Sequence, residues 1–422
     1  MPTIKDSVHG HIDLDGVGAD LLDTPPVQRL RHVRQLGTVH LVYPSANHTR
    51  FEHSLGVYHL ARRALDHLGI EGRTARRFEA AAMLHDVGHA PFSHHLEPLL
   101  ETATDRSHDD IDDLLDGQPL AGVLARHDLD PDRVAELVRG AGPLGQLLAG
   151  ELDVDRMDYL VRDAHHTGVP YGTIDPGRLL RELTFVDGTL ALDEGNVQSA
   201  ENLLIARALM NPTVYNHHVA RISKAMLRRA VADLLADVGL ERALDRPLAT
   251  RSAAVDVHPL RRATDHEVVH ALLSHEPTRG LARRLLHRDL YKRAVWVERA
   301  AVPRSLLAAD DDELRSHERA IAELLDLDAT AVLIDVPSVG PMAEASSRLL
   351  VNGELRRLGE QSPLVGALEE NHRAQWRMGV YAPAAWTDAV ASAAIDQLDL
   401  DVDGPVVSPR SRGLHRSLEE FE

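Results

Sequence analysis

The sequence predicts a mainly α protein whose helical core carries a small α+β subdomain toward the C-terminus. Two observations point there. Apolar residues recur at the three-to-four spacing of amphipathic helices through most of the chain from Val17 to Leu240. Short β-branched runs are confined to residues 4–15 and to two later stretches, Thr330 to Pro337 and Arg377 to Pro383. The 422 residues, 44% of them hydrophobic, suffice for one large domain or two to three smaller ones. Shifts in composition divide the chain into a core (1–235), a helical extension (236–325), an α+β subdomain (326–400) and a charged tail (401–422) expected to be disordered.

In order, residues 4–15 alternate around Gly10, as in a strand pair or extended arm. Asp23-Thr-Pro-Pro is a helix-start signal, and Val27, Leu30, Val33 and Leu36 continue at helical spacing to Gly37. A helix marked by Val57, Leu60, Ala64, Leu65 and Leu68 stops at Gly69, with His53 just before or within its first turn. The next, Thr74 to Val87, carries Phe78, Ala81, Ala82 and His85 in register; another begins near Ser93 and is interrupted at Pro98. Residues 105–137 predict two short acidic helices serving as a lid or insertion. Between Gly150 and Gly168, Asp155, Tyr159 and Asp163 fall at i, i+4 steps and so line one helix face. Further helices are expected over Asn202–Leu240, Glu267–Leu273 and Leu281–Val295.

No run approaches the roughly 18 apolar residues of a membrane span, and the N-terminus lacks a basic-then-apolar signal, so a cytoplasmic protein is expected. Without cysteine, any metal must be held by nitrogen and oxygen. The net charge is −19, and among 46 basic residues only Lys5, Lys224 and Lys292 are lysine. Such an acidic, lysine-poor surface fits a salt-rich cytoplasm, which screens its self-repulsion; genomic base bias toward arginine is the alternative. It argues against an extensive nucleic-acid surface.

Residues 84–95 place His85, Asp86, His89, His94 and His95 around Gly88 and Pro91. With distant His53 and Asp155 they offer a His, His-Asp, Asp set that separate helices could bring to one divalent cation, leaving coordination positions open for hydrolytic chemistry. By spacing alone, a structural set of polar core residues competes evenly with the metal site.

At this point the sequence resembles the HD-domain phosphohydrolases. Within them it is closest to the deoxynucleoside triphosphate triphosphohydrolases of the branch containing the human SAM-and-HD-domain enzyme and its shorter prokaryotic relatives, here without a SAM domain. The resemblance covers residues 4–225 and is carried by Val-His-Gly-His-Ile, Asp-Thr-Pro-Pro-Val-Gln-Arg-Leu-Arg, Arg-Gln-Leu-Gly, His-Thr-Arg-Phe-Glu-His-Ser-Leu-Gly-Val, His-Asp-Val-Gly-His-Ala-Pro-Phe-Ser-His and Leu-Asp-Val-Asp-Arg-Met-Asp-Tyr-Leu-Val-Arg-Asp. It implies an HD-domain helical core.

The resemblance also implies roles. His53, His85, Asp86 and Asp155 would hold a divalent metal (Mn, Mg, Fe, Ni or Zn). His94, Glu97 and His108 would be catalytic, with His89 on the α-phosphate. Water would attack the α-phosphorus while His94 protonates the departing 5′-oxygen, giving deoxynucleoside and inorganic triphosphate. Arg50 and Arg156 match phosphate positions, Gln35 and Leu36 lie beside the sugar, Asp163 matches the 3′-hydroxyl contact, and Tyr159 matches a ring closing against C2′. Tyr215, His217 and Arg221 extend the triphosphate contacts. Asp23, Gln28 and Arg31 match a site for an activating guanine nucleotide between subunits, which implies a homo-oligomer, dimer or tetramer. Asp153, Asp158, His165 and His166 read as caps and core polar groups. The competing functions are a phosphodiesterase or nuclease using the same centre, and a non-catalytic nucleotide sensor.

Overall fold

The computed structural model describes residues 2–193, 195, 197–243, 257–338 and 347–402; the tail expected to be disordered lies, from residue 403 on, outside them. The chain opens with an antiparallel hairpin of β1 (Thr3–Asp6) and β2 (Gly10–Asp13), turned by Gly10 at φ +81°. Helices follow: α1 (Gly16–Leu22), α2 (Pro25–Arg29), α3 (Arg50–Leu68), α4 (Gly72–Leu84), α5 (Glu97–Thr104), α6 (Asp112–Leu115), α7 (Leu120–Arg126), α8 (Pro131–Val138), α9 (Gly142–Ala149) and α10 (Val154–Thr167). Among the described residues no helix is long and apolar enough to cross a membrane.

Helix α3 starts where Thr49 and Glu52 close a capping box, the Thr49 N–H donating to the Glu52 carboxylate at 2.6 Å, and stops at Gly69 in the left-handed region. Helix α10 starts at Asp153, which accepts the Arg156 N–H at 2.6 Å, and stops at left-handed Gly168. Leu55, Tyr58, Phe78, Met83, Met157 and Leu160, all buried, join these helices in one core.

A second part follows: α11 (Pro176–Arg181), β3 (Leu183–Val186), β4 (Thr189–Asp193), α12 (Val197–Met210), a π-helical turn at Asn211–Tyr215, and α13 (His218–Asp237). Then come α14 (Leu240–Ala243), α15 (Asp265–Ser274), α16 (Glu276–Leu286), β5 (Lys292–Glu298), α17 (Arg304–Leu307), α18 (Asp311–Leu324), β6 (Leu333–Asp335), β7 (Arg348–Val351), β8 (Glu354–Arg357), α19 (Leu358–Gln361), α20 (Pro363–Ala374), β9 (Arg377–Ala382) and α21 (Thr387–Gln397). Strands β5, β9 and β6 form an antiparallel sheet with β9 central, and α18 and α21 pack on it. Strands β3, β4, β7 and β8 form a second sheet, with β4 and β7 parallel. Helix α13 contributes Met226, Leu227, Ala230 and Leu234 to a cluster with α15 and α16.

The helical class and the α+β region match the sequence expectation; several boundaries do not. The helix through Leu36 ends at Arg29, and after a 3-10 turn Val33 is extended, because Arg34 bridges to Thr49. Pro98 lies in the first turn of α5 and starts that helix, where a missing N–H costs nothing. Residues 105–137 contribute three helices, and Ile111, Leu115, Leu120 and Val134 are fully buried in the main core, so they are no lid. The helix over Leu281–Val295 ends at Leu286, and Lys292–Glu298 is a strand recruited by β9.

Glu318 pins the sheet to the helices: it accepts both Arg229 Nη atoms at 2.8 Å and the Ile334 N–H at 2.7 Å. Both side chains are at least nine-tenths buried. Replacing Glu318 with Gln strands a buried guanidinium, so unfolding in urea should show a loss of about 3 kcal/mol. Loss within about 0.5 kcal/mol would place this pair among exposed ion pairs instead.

Candidate metal centre and cavity

Four short-range decisions build the site. The capping box puts His53 in the first turn of α3, and α4 stops at Leu84 so that His85 and Asp86 sit at its C-terminal end. Gly88 gives room for the His108 carbonyl, which a Cβ would strike. Phe92 and Ser93 both adopt φ +57°, a strained left-handed pair that turns His94 toward the cavity. Asp265 at the start of α15 holds this loop, accepting the Phe92 N–H at 2.7 Å and the Arg34 N–H at 3.1 Å.

His53, His85 and Asp86 converge, their ligand atoms within 4.8 Å of one another, and Asp155 joins them through His53. The Nδ1 of His53 donates to Asp158 Oδ2 at 2.7 Å and that of His85 to the Ala82 carbonyl at 2.8 Å, so each ring turns its Nε2 inward. The two Nε2 atoms lie 3.3 Å apart; His85 Nε2 is 3.4 Å from Asp86 Oδ1, and His53 Nε2 is 2.8 Å from Asp155 Oδ1. Ligand atoms about 2.1 Å from one cation stand roughly 3.0–3.4 Å from each other, so these residues fit a divalent ion.

The acids that would attract a cation also favour a proton on His53, which must leave before Nε2 can coordinate. Burial disfavours the charged form of His53, yet Asp155, Asp158 and Asp86 raise its pKa to about 10. Burial also opposes ionisation of Asp86, which Arg50, His85 and His89 nonetheless hold well below the carboxylate range. Arg50 donates to both Asp86 oxygens, at 2.9 and 3.0 Å, and to Ser93 Oγ at 2.8 Å. Asp158 is fully buried, receives His53, His9 and Arg162, and stays ionised against its burial. It is therefore more than the core polar group read from the sequence.

A second cluster adjoins the first. Glu97 accepts from His94 Nδ1 at 2.5 Å and from His108 Nδ1, and these groups with His89 lie within 4.8 Å of one another. Burial works against Glu97, but the two imidazoles lower its pKa; His108 is raised by Glu97 despite burial. Desolvation by the cleft walls lowers the His94 pKa, Glu97 opposing and Arg50 and His108 adding to it, although 58% of its side chain remains open to the cavity. His89 is buried, 3.3 Å from Asp86 Oδ1, and neither ring nitrogen completes a hydrogen bond within the protein.

Both clusters open on a cavity of about 700 Å³. Gln35, Leu36, Arg50, His85, Asp86, His89, His94, His108, Asp155, Tyr159, Asp163, Tyr215 and Arg221 line it. Asp163 accepts His48 Nε2 and the Tyr215 hydroxyl, both at 2.8 Å. His53 and Glu97 stand behind the wall. Arg156 does not line the cavity: its guanidinium donates to the Gly150 and Glu151 carbonyls at 2.7 and 2.6 Å. His217 caps α13 and borders an adjoining cavity of about 360 Å³. Asp23, Gln28 and Arg31 lie outside both, Arg31 donating to Gln28 at 2.8 Å and covering the Phe51 ring at 3.5 Å. Arg207, Arg228 and Asp335 also line the main cavity without having been singled out, as does Lys224, noted only as one of the three lysines. The spacing of Arg221, Lys224 and Arg228 along one helix face was the available signal.

Comparison with known proteins agrees. Residues 50–163 match the HD domain, and residues 174–408 match the HD associated region. An uncharacterized protein of Methanocaldococcus jannaschii is 30% identical over 404 residues, covering 91% of this chain and 79% of its own. The human deoxynucleoside triphosphate triphosphohydrolase SAMHD1 is 45% identical over 101 residues, 22% of this chain but only 16% of the human one. A solved phosphohydrolase of Bacteroides thetaiotaomicron superposes with a TM-score of 0.70 at 25% identity, over 91% of this chain and all of its own. Fold and site thus define the class, a helical metal-dependent phosphohydrolase. The chain belongs to the HD-domain phosphohydrolase family, with the HD associated region as its second half.

Two outcomes are expected. Asp158→Asn weakens the acceptor behind His53 and should lower metal affinity about 10–100-fold, read as metal retained on dialysis against a chelator; unchanged retention would remove Asp158 from the centre. Burial raises the Asp265 carboxyl from 3.8 to about 6, against the two N–H bonds that favour its charge. An acid with a raised folded pKa destabilises the fold as it ionises, so this contribution favours folding below about pH 4 and weakens through pH 6. The stability difference between wild type and Asp265→Asn should therefore move against the wild type by up to about 3 kcal/mol between pH 4 and pH 7; urea midpoints measure it, and a pH-independent difference would contradict the assignment.

Proposed function

We propose that the protein hydrolyses deoxynucleoside triphosphates to deoxynucleoside and inorganic triphosphate. The observation that carries this reading is a single cavity lined by His85, Asp86, Asp155, His94 and His108 and by a wall of Leu36, Tyr159, Tyr215 and Asp163, with His53 and Glu97 directly behind. The 45% identity to the human triphosphohydrolase within the HD region supports the substrate class. A divalent cation bound by His53, His85, Asp86 and Asp155 supplies Lewis acidity at the reacting phosphate.

The chain's own groups do the rest. Glu97 fixes His94 through Nδ1 and leaves Nε2 to protonate the departing 5′-oxygen. A polyanionic substrate offsets the unfavourable field of Arg50 and His108, so proton affinity at His94 rises as the substrate binds. His89, buried with no partner of its own, donates to the α-phosphate. Asp163, oriented by His48 and Tyr215, accepts the 3′-hydroxyl, while the Tyr159 and Tyr215 rings, 6.3 Å apart and nearly perpendicular, leave little room for a 2′-hydroxyl. Arg156 acts on the substrate only if it leaves its carbonyls. The reading extends to a guanine nucleotide at Asp23, Gln28 and Arg31 in a homo-oligomer.

Product chromatography with each dNTP, singly and in mixtures, tests it: triphosphate and deoxynucleoside are expected, and His94→Ala should reduce turnover about 10²–10⁴-fold while metal content is unchanged. Monophosphate products from cyclic or single-stranded substrates, with no triphosphate from any dNTP, would replace this reading with a phosphodiesterase; binding without turnover would make it a sensor.

A further inference from the structure

Five cationic side chains line the main cavity: Arg50, Arg207, Arg221, Lys224 and Arg228. Arg50 is neutralised by Asp86, and Arg221 by Asp335 at 2.8 Å. Lys224 and Arg228 differ. Among the described residues neither makes an ion pair or a side-chain hydrogen bond, although both sit in a partly closed cleft of a chain with net charge −19.

The acids near them are committed elsewhere. Asp335 is held by Arg221 and by the Tyr381 hydroxyl at 2.7 Å, Glu318 by Arg229, and Glu97 by His94 and His108. Burial lowers the Lys224 pKa; Asp335 opposes this, Arg228 and Arg221 add to it, and Glu97 opposes it. Two adjacent cations on one face of α13, beside the 93–95 turn that carries His94, thus feel Asp335, Glu97 and Glu318 at a distance but have no ion pair or hydrogen bond of their own among the described residues.

We propose that Lys224 and Arg228 form an anion subsite that takes the polyphosphate tail of the substrate, directing it along α13 and away from Arg156. The subsite rests on the triphosphohydrolase reading for the identity of its ligand, not for its charge. A tail of several negative charges, leaving the α-phosphorus near His94, meets donors at successive turns of one helix: the ammonium as a rotatable point charge and the guanidinium as a planar fork. Bound there, the leaving triphosphate stays engaged after the 5′-oxygen bond breaks, which makes inorganic triphosphate a product inhibitor.

Inorganic triphosphate titrated calorimetrically into the full metal-loaded chain tests the subsite directly. Lys224→Gln and Arg228→Gln should each weaken its binding about tenfold, and should raise KM for a dNTP more than they lower kcat. Lys224→Arg, which keeps the charge, should stay within about threefold of wild type, and Arg73→Gln, outside the cavity on α4, should not respond. Unchanged affinity in both Gln variants, a loss in Lys224→Arg as large as in Lys224→Gln, or no binding to wild type overturns the subsite, whatever the dNTP assays show. Triphosphate binding that is lost in the Gln variants of a protein that hydrolyses no dNTP upholds the subsite and overturns the triphosphohydrolase reading instead.

Discussion

The structure depends on keeping three carboxylates, Asp86, Asp155 and Asp158, around the buried imidazole of His53. Each ionised group removed from water costs several kcal/mol unless it is matched, so the surroundings must supply charge and hydrogen bonds at short range. Arg50 meets Asp86; Arg162, fully buried, meets Asp158 at 2.8 Å and also Asp6 of the N-terminal hairpin at 2.8 Å. His9, in the turn of that hairpin, reaches Asp158 at 2.6 Å. The hairpin, α3, the end of α4 and α10 are therefore joined by charge at this point in addition to their shared apolar core. Gly56 is part of the same constraint, since a Cβ there would collide with Asp158 and Arg162.

The loop that carries His89 and His94 is held from a different direction. Arg29, buried in α2, donates to the carbonyls of Val87 and His89 at 2.9 and 2.8 Å and to that of Ala263 at 2.8 Å. Asp265 completes the grip through Phe92 and Arg34. A loop with two consecutive residues in the left-handed region persists because its neighbours over-determine it. Among the described residues, the region after α13 thus shapes the cleft without adding to the candidate metal ligands, and Asp335 of β6 brings the C-terminal sheet to the same cavity through Arg221 and Tyr381.

Much of the site was legible because HD-type ligands lie in short strings where local structure decides geometry. A capping box, a helix end before His85 and an i, i+4 line on α10 are local events, and the resemblance across them identified His53, His85, Asp86, Asp155, His94, Glu97 and His108 as one set. Asp158 was read as a core group because nothing in its own string reveals that His53, a hundred residues earlier, turns its Nδ1 toward it. Asp265 was invisible for the same reason: an aspartate at a helix start is an ordinary cap until Phe92 is seen above it. The strand at Lys292–Glu298 was read as helix because its apolar pattern is short, and only β9 beside it makes the extended form favourable.

The sequence by itself determined the helical class and the nitrogen-and-oxygen character of any metal site, because these follow from residue type, period and local stop signals; the candidate ligands came from the family resemblance. The tertiary structure decided which charges are matched. It turned Arg156 toward backbone carbonyls, packed Ile111, Leu115, Leu120 and Val134 into the core while His108 lines the cleft, and left Lys224 and Arg228 facing the cavity with no ion pair of their own among the described residues. Coulomb interaction and desolvation depend on distance and burial in space, and a linear chain specifies neither until it is folded.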